Sequence, residues 1–244
     1  MTPSGGAVEL SVVAPVYNER ENLDGLVDEL VRTLEAAKLD FEILLVDDGS
    51  SDGSAERITE LARASSGRVR GLHFRANRGQ TAAFDAGFRA AHGRFVVTID
   101  ADLQNDPRDI PRLLAALDGY DAAVGYRRTR ADTWVRRFSS RIANSIRNRL
   151  SGDDIIDTGC SLKAFRRECL AELKLYSGMH RFLPTLLRIE GHRVVQIPVA
   201  HRPRRAGRSK YGVGNRAVRA FVDLLAVRWM KKRRLGYEVV RHDP

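Results

Sequence analysis

Two carboxylates and an amide stand at Asp100, Asp102 and Gln104, directly after the apolar run Phe95-Val96-Val97-Thr98-Ile99. The run reads as a buried strand, and Pro107 sits where a helix can begin. Acids at the C-terminal end of a strand in an α/β sheet face the crevice where ligands bind. Hard oxygen ligands on one short turn, with room for phosphate oxygens, suit Mg²⁺ or Mn²⁺ holding a diphosphate. Asp and Asn are also common helix N-caps, so the turn alone leaves a structural reading open.

Three other polar segments follow apolar runs in the same way. Tyr17-Asn18-Glu19 follows Leu10 to Pro15, Asp47-Asp48-Gly49-Ser50-Ser51-Asp52-Gly53 follows Phe41 to Val46, and Asn77-Arg78-Gly79 follows Val69 to Phe74. The elements that must hold them alternate. Leu23, Leu26, Val27, Leu30, Val31 and Leu34 repeat at helical spacing behind Asn18, which serves as an N-cap. Further helices are expected over Ser54 to Ala64, Gly79 to Ala91 and the stretch holding Ile110, Leu113, Leu114 and Leu117. Ala122 to Gly125 reads as another short strand. Alternation of this kind predicts an α/β fold, with a mostly parallel sheet covered by helices on both sides. All four polar segments then open on one edge of it. No Gly-x-Gly-x-x-Gly follows the first strand, and no phosphate-binding Gly-x-x-x-x-Gly-Lys-Ser/Thr occurs. A nucleotide held here is held by acidic side chains at base and ribose and by a metal at the diphosphate.

From Arg127 the chain turns basic, with Arg127, Arg128, Arg130, Arg136, Arg137, Arg141, Arg147 and Arg149 against Asp132. Asp157-Thr158-Gly159-Cys160 reads as part of a turn feeding a strand that ends at Phe165. A helix over Phe182 to Ile189 and a strand over Val194 to Ala200 come next. His201 to Tyr211 is a second basic loop, carrying Arg202, Arg204, Arg205, Arg208 and Lys210. Val213 to Met230 has a helical pattern and ends in Lys231-Lys232-Arg233-Arg234. Such a helix suits an anionic membrane interface, and it equally suits a core helix with a solvated basic tail.

The sequence has 244 residues and a formal net charge of +10, which calls for an anionic partner: nucleic acid, a phosphorylated substrate or a membrane surface. Trp134 and Phe138 are the only aromatics from Arg127 to Arg149, too few for a stacking groove, so nucleic acid is the least favoured. Cys160 and Cys169 lack metal-ligand spacing and read as packed thiols. The histidines are scattered and read as structural or solvated. Met1 to Gly6 shows no signal peptide, and no apolar stretch reaches transmembrane length, so a cytoplasmic protein is expected.

The sequence resembles the family 2 glycosyltransferases, and within them the polyprenyl-phosphate glycosyltransferases, from about Leu10 to Met230. The marks are Pro15-Val16-Tyr17-Asn18-Glu19, Val46 to Gly53, Asn77-Arg78-Gly79, Asp100-Ala101-Asp102-Leu103-Gln104 and Arg205-Ala206-Gly207-Arg208-Ser209-Lys210-Tyr211. The resemblance implies a glycosyltransferase A-type fold: a single Rossmann-like catalytic domain over 1–212, then an amphipathic interfacial helix and basic tail over 213–244. It implies inverting, metal-dependent transfer of a hexosyl group from a nucleotide-sugar to polyprenyl phosphate. Asn77 to Thr81 leans toward a uridine nucleotide over GDP-mannose. Pro15, Tyr17, Glu19, Asp48, Asp100 and Ala101 would bind the donor, and Asp102 and Gln104 the Mg²⁺ or Mn²⁺. Arg127, Arg202, Ser209 and Lys210 would hold the acceptor phosphate. Asp157, with Asp102 and Arg127, would be catalytic, as a base or as the residue that orients the acceptor or a basic side chain. Many bacterial members carry two transmembrane helices after the amphipathic segment, and this sequence shows none. The expectation is peripheral docking at the inner face of the cell membrane, alone or with a membrane partner protein. A soluble or glycan acceptor is the alternative.

Overall fold

Leu10–Val16 forms β1 and Phe41–Asp47 forms β2, two apolar strands buried along almost their whole length. Continuous burial of this kind requires cover on both faces of a sheet. The computed structural model describes residues 8–127, 154–203 and 214–235, with the side chains of 214–220 outside that description. Among them the strands join one seven-stranded sheet. Its other members are β3 (Val69–His73), β4 (Phe95–Thr98), β5 (Ala122–Arg127), β6 (Lys163–Arg166) and β7 (Val194–Val199). The order is β3-β2-β1-β4-β6-β5-β7. All neighbours pair parallel except β6, which runs antiparallel to both β4 and β5.

Helices α1 (Arg20–Ala36), α2 (Ser54–Ala64), α3 (Gln80–Ala90) and α4 (Ile110–Ala116) connect the strands. They are followed by α5 (Arg167–Ala171), α6 (Leu183–Ile189) and α7 (Gly214–Arg233). The two-residue period of the strands feeds two cores. Leu10, Val12, Ala14 and Val16 of β1 join α1, Ile58 and Ile110 on one face. Val13, Leu44 and Val46 join Phe84, Phe88, Phe165 and Leu224 on the other. The alternation expected from sequence is therefore realised as helix, sheet, helix.

After β2 and β3 the chain returns across β1 to β4, so the order reverses between β1 and β4. The C-terminal ends of these two strands bound the crevice expected to take a ligand. Two local expectations are corrected. Pro15 lies inside β1 rather than closing it, because the ladder to β4 stops at Val13↔Thr98 and leaves no pairing for its absent N–H to break. Asn18 does not cap α1: it is left-handed at φ 52°, and the N-cap is Glu19. Its side chain is used between loops, as described next.

Candidate active site

The strand-end loops are tied to one another through side chain–backbone bonds. Asn18 donates its backbone N–H to Ser50 Oγ at 2.9 Å and accepts from the Ser51 N–H at 2.7 Å. Asp52 accepts from the Ser54 N–H at 3.0 Å and from the Arg20 N–H at 3.2 Å, which fixes the start of α2 beside the start of α1. Gly49, at φ 70°, lets this loop approach the one after β3: a Cβ there would stand 2.6 Å from the Ala76 carbonyl carbon. Asp48 spans the same gap. Its carboxylate is almost fully buried and accepts from the Arg78 N–H at 2.6 Å and the Gly79 N–H at 2.9 Å. Burial raises its pKa, partly opposed by those two amides. Asp48 thus shapes the turn before α3, and its remaining lone pairs are what a nucleoside can use.

The turn after β4 is held as firmly. Asp100 accepts from Gln80 Nε2 at 2.8 Å, while burial and the neighbouring Asp102 raise its pKa. Ala101 packs in the core. Leu103 is left-handed at φ 59° although buried. A bulky side chain in that region carries about 1–3 kcal/mol of strain, which the surrounding core must offset. The kink folds the Gln104 N–H back to Asp102 Oδ1 at 3.2 Å. Gln104 Nε2 lies 3.5 Å from His201 Nε2, and Asn105 bridges to His201. Asp106 caps the turn at Pro107–Asp109, accepting from the Arg108 N–H at 3.0 Å.

Across the reversed strand β6, Arg127 and Asp157 form a bidentate fork, Nε to Oδ2 at 2.6 Å and Nη2 to Oδ1 at 2.9 Å. Asp157 also accepts from the Gly159 N–H at 3.1 Å. Burial works against the Arg127 charge, but the Asp157 fork outweighs it and raises the pKa further. Asp100 adds to the same effect, and because β4 and β5 both run antiparallel to β6, the acid turn and the fork emerge on the same edge of the sheet. Arg202 is committed differently: it pairs with Glu29 at 2.6 Å and Asp106 at 2.8 Å. Its backbone N–H donates to the Gln104 carbonyl at 2.8 Å, so it braces the acid turn from behind.

The remaining expected residues divide by position. Pro15, Tyr17 and Glu19 end β1 and open the following loop, each half-buried. Ser209, Lys210 and the basic stretch 128–149 lie outside the described residues. Gln80 and Lys163 carry no role in the sequence reading, and His201 is read there as structural or solvated; the structure places Gln80 on Asp100, His201 beside Gln104 and Lys163 under the strand ends. His201 sits directly after a strand, the same signal that exposed the other loops. Cys160 and Cys169 are buried free thiols, and burial pushes Cys169 up to about 11, as expected of packed residues.

The sequence signature of Glycosyl transferase family 2 matches residues 11–174. The chain belongs to that family. It is 41% identical over 205 residues to the undecaprenyl-phosphate 4-deoxy-4-formamido-L-arabinose transferase of Edwardsiella ictaluri, covering 84% of this chain and 63% of that protein. The namesake from Proteus mirabilis is 40% identical over 204 residues, covering 83% and 63%. The chain thus spans just under two thirds of the length of these relatives. Among solved structures, glucosyl-3-phosphoglycerate synthase from Mycobacterium tuberculosis, with Mn²⁺, UDP-glucose and phosphoglyceric acid, matches with a TM-score of 0.70 at 21% identity. That match covers 91% of this chain and 80% of the synthase. The mannosyltransferase PcManGT from Pyrobaculum calidifontis, with GDP-Man and Mn²⁺, matches at 0.65 and 20% identity, covering 96% and 66%. These likenesses show that the chain shares the glycosyltransferase A-type fold of those structures.

Beyond the crevice, α7 carries apolar residues on two sides. Leu224 and Val227 are buried in the second core. Phe221, Val222, Leu225 and Trp229 are 44–64% exposed and lie on one outward face of the helix, Leu225 following Phe221 and Trp229 following Leu225 by one turn each. Lys231 to Arg234 follow, all exposed. No described helix is long and apolar enough to cross a membrane.

Proposed function

We propose that this chain transfers a sugar from a nucleotide-sugar to polyprenyl phosphate at a membrane surface, with inversion at the anomeric carbon. The observation that carries the reading is the emergence, on one edge of the sheet, of the acid turn Asp100–Gln104 after β4 and of an arginine, oriented by a bidentate carboxylate, at the end of β5. The relatives' names supply the acceptor class. Tyr17, Glu19 and Asp48, at the ends of β1 and β2, take the nucleoside, and Asp100 the ribose and diphosphate side. The donor types at Asp102, Gln104 and His201 suit a divalent cation, although the described residues hold no ready-made cluster of three or more His, Cys, Asp or Glu. Mg²⁺ or Mn²⁺ bound there would supply positive charge to the diphosphate as the leaving group forms.

Arg127 receives the acceptor phosphate, and the basic loop with Ser209 and Lys210 completes that side. An oxygen of the lipid phosphate attacks the anomeric carbon, the bond to the diphosphate oxygen breaks, and the nucleoside diphosphate leaves with the electron pair. The attacking phosphate is already an anion near neutral pH, so no proton need be removed. Asp157 therefore serves by holding Arg127 rather than as a base, which its fork to the guanidinium and its bond from Gly159 support. The outward stripe of α7 lies in the lipid interface with its basic end on anionic head groups, giving reversible attachment at the inner face of the cell membrane. A membrane partner protein is compatible with this but not required by it.

A uridine nucleotide is the favoured donor, on the Asn77–Thr81 stretch. The relatives' names carry a pentose derivative, which widens the sugar beyond the hexose first expected. The test is transfer from radiolabelled UDP- and GDP-sugars, pentoses included, to undecaprenyl phosphate in detergent, with Mn²⁺ or chelator. A chelator-sensitive glycolipid from one donor is the expected product. Donor binding with no lipid product from any donor would overturn the acceptor.

A further inference from the structure

The acid turn and the Arg127–Asp157 fork share a floor, and the floor is a lysine. Lys163 opens β6 and is only 4% exposed. In the ladder it stands opposite Thr98 of β4 and Val124 of β5. It is therefore under the strand ends from which Asp100 and Arg127 emerge. Its ammonium donates to the Cys160 carbonyl, inside the turn that carries Asp157. The loops above it are tied down around the same point: Thr98 Oγ1 donates to the Ser161 carbonyl at 2.6 Å, and Ser161 Oγ to Asn105 Oδ1 at 2.8 Å. Burial depresses the Lys163 pKa, and Cys160, Asp100 and Asp157 oppose that shift.

A buried ammonium costs several kcal/mol unless charges of opposite sign surround it. Asp100 lies close enough to feel both Asp102 and Lys163, and Lys163 in turn feels Asp100 and Asp157. Arg127 is committed to its fork with Asp157, while Lys163 is buried in the ladder beneath the ends of β4 and β5. We infer that Lys163 is a positioning residue: an internal cation that holds the acidic edge together while it is empty and opposes a divalent cation that arrives alone. Tight metal binding then waits for the diphosphate, whose own negative charge outweighs the lysine. The inference rests on the proposed metal role of Asp102 and Gln104.

The sign of one measurement separates charge from packing. Free Mn²⁺ is followed by electron paramagnetic resonance while the full chain is titrated, with and without UDP. The variants are K163Q, K163M and K163R. K163Q keeps a donor for the Cys160 carbonyl, and K163M keeps the length but neither donor nor charge. Without UDP, K163Q and K163M are expected to bind Mn²⁺ about three- to tenfold more tightly than wild type, since a nearby positive charge is gone. K163R is expected to stay near wild type. With UDP the difference narrows. A lysine that only fills space would leave the affinity unchanged or weaken it, and either result in folded K163Q overturns the inference. Should K163M not fold, K163Q alone decides. Wild type binding no Mn²⁺, even with UDP or GDP, would remove the metal reading and this inference with it. Tight binding in wild type that is equal in K163Q removes only this inference.

Discussion

The acidic edge of the sheet and the outer stripe of α7 are built on opposite plans. At the edge, polar side chains are fixed in advance. Asp48 is held by two backbone amides, Asp100 by Gln80, Arg127 by Asp157 and the acid turn by Arg202. On α7 the large side chains Phe221, Leu225 and Trp229 stand about half or more exposed while the other face of the helix is packed. A pre-ordered polar site lowers the reorganisation needed when charge develops. An exposed apolar stripe gains free energy only when something apolar covers it. The contrast teaches that chemistry and location are separate properties here, and substitutions should separate them.

The largest effect is expected at the edge. Asp102→Ala should lower sugar transfer about a thousandfold, with little change in vesicle binding, because it removes a proposed cation ligand and no core contact. Loss of vesicle binding in that variant would break the separation. Next comes α7. Replacing Phe221, Leu225 and Trp229 together by Ser should reduce sedimentation with anionic vesicles about a hundredfold or more, since each is already about half covered and gains only about half of the roughly 1.5–3 kcal/mol of full burial. Donor binding, measured by calorimetry, should stay within about twofold. Equal loss of both would tie the helix to the donor site.

Smaller effects sharpen the edge itself. Asp48→Ala strands the Arg78 and Gly79 amides and should cost about 1–3 kcal/mol in urea unfolding, besides weakening donor binding. The smallest effect is expected at the other end of β2. Glu42 accepts from Ser11 Oγ at 2.6 Å, Arg70 at 2.6 Å and the His92 N–H at 2.7 Å. Burial raises its pKa, but these partners more than offset it and leave it below 4.5. A depressed carboxylate adds stability above its unfolded pKa that is lost as pH falls through the folded value. Wild type should therefore lose about 1 kcal/mol more than Glu42→Gln between pH 5 and 3, by urea midpoints, with vesicle binding at neutral pH the same in both.

Much of this was legible in the sequence, because it is local. Strand-end acids follow from an apolar run breaking into Asp47-Asp48 or Asp100-Ala101-Asp102. The helical period in Leu23 to Leu34 and the two-residue period in β1 set which faces are buried. Together they fixed the α/β class, the loop edge and the residues worth testing. Tertiary structure alone decided the rest, because each remaining assignment joins distant segments. Arg202 reaches Glu29 across 173 positions, so the residue expected at the acceptor phosphate also braces the acid turn. Reversal of β6 puts Lys163 under Asp100, and no periodicity in that short stretch announces its direction. On α7, the apolar residues show that the helix is amphipathic. Only packing shows that Leu224 and Val227 are spent on the core while Phe221 and Trp229 are left outside. Periodicity reports which side chains avoid water, and only the order of strands in space determines which charges must face each other.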